Sequence, residues 1–116
     1  MKPILNIDAL SLHTHRHGER FEAAGANVSA DIGARQLGYG VTVVPPGKRA
    51  WPFHNHHANE EMFFILSGTG RLRLGAAEYP LRAGDFIAAP AGDASTAHQI
   101  INDSAEELRY LSVSTM

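Results

Sequence analysis

Residues 47–68 read GKRAWPFHNHHANEEMFFILSG, and they hold the densest chemistry of the chain: three of its seven histidines, two adjacent glutamates and a glycine at each end. His54 and His56 are separated by one residue. On an extended strand both imidazoles leave the same face, roughly 6–7 Å apart along the backbone. His57 takes the opposite parity and is expected to face outward or to lie behind the pair. After the short HANE turn, Glu61 opens a second strand-like run, EMFFIL. A hairpin return brings a carboxylate to the two imidazoles, and strand parity selects Glu61 over Glu60. Two imidazoles and a carboxylate make up most of a metal site.

The run EMFFIL also sets the fold. Phe63 and Ile65 share the face of Glu61, while Met62, Phe64 and Leu66 point the other way, so both faces are apolar and both need cover. One face is expected to line an interior. The other is expected to pack on a second sheet, on the N-terminal arm or on another subunit.

Working outward, the chain keeps to short strands. In RQLGYGVTVVPPG, residues 35–47, Tyr39, Val41 and Val43 alternate with Gly40 and Thr42 until Pro45-Pro46-Gly47 stops the run. Downstream, RLRLG, AAEYPLRAG, DFIAAPAG, HQIIN and LRYLSVS are further short alternating stretches, each closed by Gly, Pro or a polar turn. His98, Ile100 and Asn102 share one face of HQIIN. No window sustains the 3.6-residue period of a long amphipathic helix. Many short strands punctuated by Gly and Pro specify an all-β sandwich or barrel. Residues 1–34 read as an N-terminal arm with the first short strands, and residues 35–116 as the barrel, in one domain. In the arm, His13, His15 and His17 alternate on one face. With no carboxylate placed to return to them, they read as a polar, solvated lead-in rather than a second metal site.

At 116 residues the chain is long enough for a self-sufficient core. A formal net charge of -2 gives no electrostatic reason to expect nucleic acid or an anionic membrane as partner. The absence of cysteine removes disulfides, thiolate metal sites and Cys nucleophiles together. MKPILNIDAL lacks the continuous apolar region of a signal peptide, and no window reaches the roughly 18–20 apolar residues of a membrane span. A cytoplasmic location is the expectation.

With these residues laid out, the chain resembles a small single-domain cupin of the conserved-barrel type. That family's first motif is G-x5-H-x-H-x3,4-E-x6-G, and Gly47, His54, His56, Glu61 and Gly68 match it with one extra residue after the first glycine. The second is G-x5-P-x-G-x2-H-x3-N, matched by Gly84, Pro90, Gly92, His98 and Asn102 with three extra residues between Gly92 and His98. The resemblance implies a double-stranded β-helix, or jelly-roll barrel. It also implies a metal held by His54, His56, Glu61 and His98, and a homodimer paired through N-terminal strands.

Three imidazoles and one carboxylate suit one divalent transition ion (Fe, Mn, Co, Ni or Zn) better than Ca or Mg, which prefer oxygen shells. One glutamate against a dication leaves net positive charge at the centre and favours anionic or oxygen-rich small molecules. Phe63, Ile65, Ile100 and Asn102 are the candidate pocket residues, with Asn102 expected either behind the ligands or only in service of the following turn. Cupins serve many reactions, so the scaffold names none. The expected function is a metal-dependent enzyme on a small oxygen-rich or anionic metabolite, sugar-phosphate isomerase-like, epimerase-like or dioxygenase-like. The alternative is a non-catalytic module that binds or senses a sugar or metabolite.

Overall fold

The computed structural model describes residues 2–51, 58–92 and 96–115. The strand expected over AWPFHNHH, with His54, His56 and His57, lies outside the described residues apart from its first two.

The described chain forms nine strands: β1 His13–His17, β2 Phe21–Asn27, β3 Leu37–Val44, β4 Glu61–Ser67, β5 Thr69–Leu74, β6 Ala77–Arg82, β7 Phe86–Ala89, β8 His98–Ile101 and β9 Leu108–Thr115. A six-stranded sheet runs β1-β2-β3-β9-β4-β7, and a three-stranded sheet runs β6-β5-β8. All the strand pairings are antiparallel. The segment at Arg49 links the sheets, bridging Phe21 on one side and Ile101 on the other. Backbone bonds from Arg49 N to Arg20 O, Glu22 N to Arg49 O and Asn102 N to Lys48 O fix this link. At the opposite side Gly84 N donates to Ile65 O, and Ile65 N to Asp85 O. The result is an all-β barrel of two facing sheets, as the alternation predicted.

Its core comes from the inner parity of the strands after β1. Val44, Ile65 and Leu108 are fully buried, and Phe63, Leu72, Leu81, Ile87, Ile100 and Tyr110 nearly so. Removing each large side chain from water stabilises the fold by about 1.5–3 kcal/mol. The two parities of β4 divide as expected: Phe63 and Ile65 are buried, while Met62, Phe64 and Leu66 are half-buried on the outside. Outside, Phe64 packs on Phe86 with ring centroids 4.6 Å apart, and Phe86 itself stays 76% exposed.

The N-terminal histidines are in a regular strand. All five residues of β1 are exposed, but its full register against β2 makes it the edge of the larger sheet. The preceding turn Ile7–Ala9 leads past Val41 and Arg109, on the outer face of β3 and β9.

Candidate functional site

Glu61 is the first residue of β4 and His98 the first of β8, so each sheet delivers one polar side chain to the same end of the interior. The imidazole Nε2 of His98 lies 3.5 Å from Oε1 of Glu61, with side-chain exposures of 4% and 16%. The other ring nitrogen, Nδ1, lies 3.2 Å from the carbonyl of Thr96 and donates to it, which turns Nε2 toward the carboxylate. The Glu61 hydrogen bond raises the pKa of His98 above its ordinary value; burial opposes this, and the Thr96 carbonyl and the charge of Glu61 add to it. Phe63 packs against both His98 and Tyr110, at 5.7 and 5.6 Å between ring centroids. Burial pushes the phenol of Tyr110 well above its usual range, against a hydrogen bond with Thr42.

This pair fits half of a metal centre. Two donors each roughly 2.1 Å from one ion stand no more than about 4.2 Å apart, and the Glu61–His98 separation lies inside that limit. The Thr96 carbonyl on Nδ1 is the outer partner that fixes ring orientation in histidine metal sites. Among the described residues no group of three or more His, Cys, Asp or Glu converges. The two other expected ligands, His54 and His56, are outside the described residues.

The candidate pocket residues separate into three kinds. Phe63 and Ile100 line a small cavity with His98, Gln99, Trp51 and Tyr110. Ile65 shares their inward parity but is fully buried in the hydrophobic core and does not line the His98 cavity. Asn102 takes the second of its two expected roles, serving the turn that follows β8. Its amide nitrogen donates to Val44 O at 2.9 Å and Glu106 O at 2.7 Å, and its oxygen accepts from the backbone and hydroxyl of Ser104. β8 has ended at Ile101, so the alternation that placed Asn102 beside His98 no longer applies.

Sequence reasoning missed a groove of about 500 Å³ on the inner face of the six-stranded sheet. It is lined by Thr42, Ser112 and Ser114, by other residues of β2 and β3, most of them glycine or alanine, and by His13, His15 and Trp51. Ser114 is the direct cross-strand neighbour of Glu61. The usable signal was the shared parity of Tyr110, Ser112 and Ser114 in β9.

Fold and site together define a small two-sheet β-barrel with a carboxylate–imidazole pair at one end of its interior. The chain belongs to the cupin family: the cupin domain model matches residues 40–114. A crystal structure from Acidithiobacillus ferrooxidans, provisionally named a sugar phosphate isomerase, is 29% identical, with a TM-score of 0.88 over 99% of this chain and 76% of that one. A sugar phosphate isomerase of the cupin superfamily from Silicibacter pomeroyi is 24% identical, TM-score 0.84, over 98% and 76% of the two chains. A predicted oxalate decarboxylase from Thermotoga maritima is 20% identical, TM-score 0.82, over 97% and 98%. The latter two likenesses are of fold. No curated protein matches the chain. No helix among the described residues is long and apolar enough to cross a membrane.

Proposed function

We propose that this protein is a metal-dependent enzyme acting on a small, oxygen-rich anionic metabolite, in the manner of a sugar-phosphate isomerase. The observation that carries the reading is the Glu61–His98 pair, a charged and an ionisable group brought together from two sheets in a largely apolar interior. Isolated carboxylates and imidazoles are costly to bury, and coordination to a metal is a standard compensation. Glu61 and His98, with His54 and His56, would hold one divalent transition ion. When bound, such an ion supplies Lewis acidity toward a carbonyl or hydroxyl oxygen of the ligand. Glu61 supplies the single negative charge, and His98 is oriented by Thr96. Phe63 and Ile100 exclude water beside the pair. The resemblance to the Acidithiobacillus protein supports an isomerase over a dioxygenase, which remains the second chemistry open to the same ligand set.

One observation favours the binding-module reading instead. Tyr110, the other titratable side chain lining the His98 cavity, is wholly buried and its phenol is pushed upward. It is therefore no base at neutral pH.

Metal analysis of protein prepared without a polyhistidine tag tests the proposal. Near-stoichiometric transition metal is expected. Glu61→Gln and His98→Ala should lose most of it, as should His54→Ala, whereas Glu60→Gln should retain it. Unchanged content in Glu61→Gln with loss in Glu60→Gln would sink the ligand assignment. Turnover of aldose and ketose phosphates without oxygen separates isomerase from dioxygenase. Tight binding without turnover moves the function to sensing.

A further inference from the structure

We propose that the groove beside the Glu61–His98 pair binds a phosphorylated polyol in one direction, its phosphate held by His13 and His15 and its hydroxylated end turned toward Glu61. The inference deepens the enzyme reading and rests on it for the ligand's direction; the phosphate end stands on the groove alone.

The sheet register carries the argument. Residues directly opposed on antiparallel strands project from the same side of the sheet. His13 opposes Gly25, Gly25 opposes Thr42, and Thr42 opposes Tyr110. One row further along, His15 opposes Ala23. Gly40 opposes Ser112 and Gly38 opposes Ser114, which in turn opposes Glu61. A single face therefore runs without a break from the β1 imidazoles to the β4 carboxylate.

The floor of that face is mostly glycine, alanine, serine and threonine, with Asn27 opposite Gly40, so a ligand can lie against the backbone. Ser112 and Ser114 offer two hydroxyls, each both donor and acceptor, which suits a polyol, while the Thr42 hydroxyl is engaged with Tyr110. The volume, about 500 Å³, falls within the range of small-molecule sites. Trp51 forms a wall: it lines both the groove and the His98 cavity, and its ring lies 6.2 Å from that of His15. Its indole presents an apolar face to the carbon side of a sugar.

The charge pattern sets the anion's place. No Asp, Glu, Lys or Arg is among the described residues lining the groove. His13 and His15 are the basic groups there, and an imidazole keeps an N–H donor in either protonation state. Two such donors from alternate positions of one strand can bracket a phosphate, whose oxygens are strong acceptors. Both side chains are exposed at a sheet edge, so replacing them leaves the core untouched.

The test is calorimetric titration of the full chain with ribose 5-phosphate and with ribose, alongside metal content and thermal melting. The wild type should prefer the phosphorylated probe by about tenfold or more, the scale of one or two charge-assisted hydrogen bonds. The double variant His13→Ala/His15→Ala should lose most of that preference while keeping its ribose affinity, metal content and melting temperature. The double glutamine variant, which restores a donor at each position, should recover part of it. Glu61→Gln should weaken both probes alike and leave the preference intact. A wild type that binds neither probe, or binds them equally, overturns the inference. So does a double alanine variant that weakens both probes together or changes neither. A wild type that purifies without metal yet prefers the phosphate would refute the metal-dependent reading and leave the anion site standing.

Discussion

Asn102→Ala separates a structural role from a ligand-facing one. Asn102 is fully buried, and its amide makes four hydrogen bonds that close the turn between β8 and β9. In the alanine variant Val44, also fully buried, loses its side-chain donor where water cannot replace it. That loss costs about 1–3 kcal/mol, and the remaining bonds, at half-buried Ser104 and exposed Glu106, cost roughly 1 kcal/mol each before water offsets part of it. The total is roughly 2–5 kcal/mol. Unfolding entropy of about 2.1 cal/mol/K per residue makes that a drop of roughly 8–20 °C in Tm for a chain of this length. Asn102→Asp should be no better, because it keeps the acceptor for Ser104 but sets a carboxylate against the carbonyls of Val44 and Glu106. Thermal and urea unfolding measure the loss, with metal content and ligand affinity followed on the folded protein. Stability within about 0.5 kcal/mol of wild type, the usual range of a surface change, together with weakened ligand binding, would refute the reasoning and return Asn102 to the pocket wall.

Gly68 has φ +90°, and a Cβ there would collide with the carbonyl oxygen of Glu107, whereas Gly84 has φ +93° with open space around it. Gly84→Ala should cost about 1–2 kcal/mol for the left-handed backbone alone, and Gly68→Ala clearly more; equal losses in denaturant unfolding would contradict the packing. In metal-free protein, the raised pKa of His98 stabilises the fold below the unfolded-state pKa, and this contribution fades as pH rises through the folded value. The same proton competes with metal at Nε2, so metal affinity should fall as pH is lowered through that value; a pH-independent affinity in competition titrations counts against His98 as a ligand. The half-buried outer face of β4 with exposed Phe86 is proposed as part of a homodimer contact. Phe86→Glu should shift light scattering toward the monomer, and a wild-type monomer at micromolar concentration excludes the contact.

What the sequence made legible was local; what it hid depended on which strands become neighbours. Glu61 and the buried parity of β4 could be read because alternation is a property of a single strand, and the Glu61–His98 approach agrees with the motif spacing that selected both. Ile65 has the parity expected of a pocket wall, yet alternation gives no depth along a barrel, and its partner across the ladder is the buried Tyr110. For Asn102 the pattern left two roles open, because the two-residue period extends only as far as the strand and β8 ends at Ile101. His13 and His15 illustrate the strongest limit. As isolated sequence they lack a returning carboxylate and read as a solvated arm. Their place on the inner face follows from β1 pairing with β2, β2 with β3 and β3 with β9, three registers that no local pattern encodes. A one-residue slip in any of those ladders would turn the imidazoles to the outside while leaving the Glu61–His98 pair in place. The metal pair and the groove's far end are therefore separable by mutation: register changes at β1 should alter what the protein recognises before they alter what it coordinates.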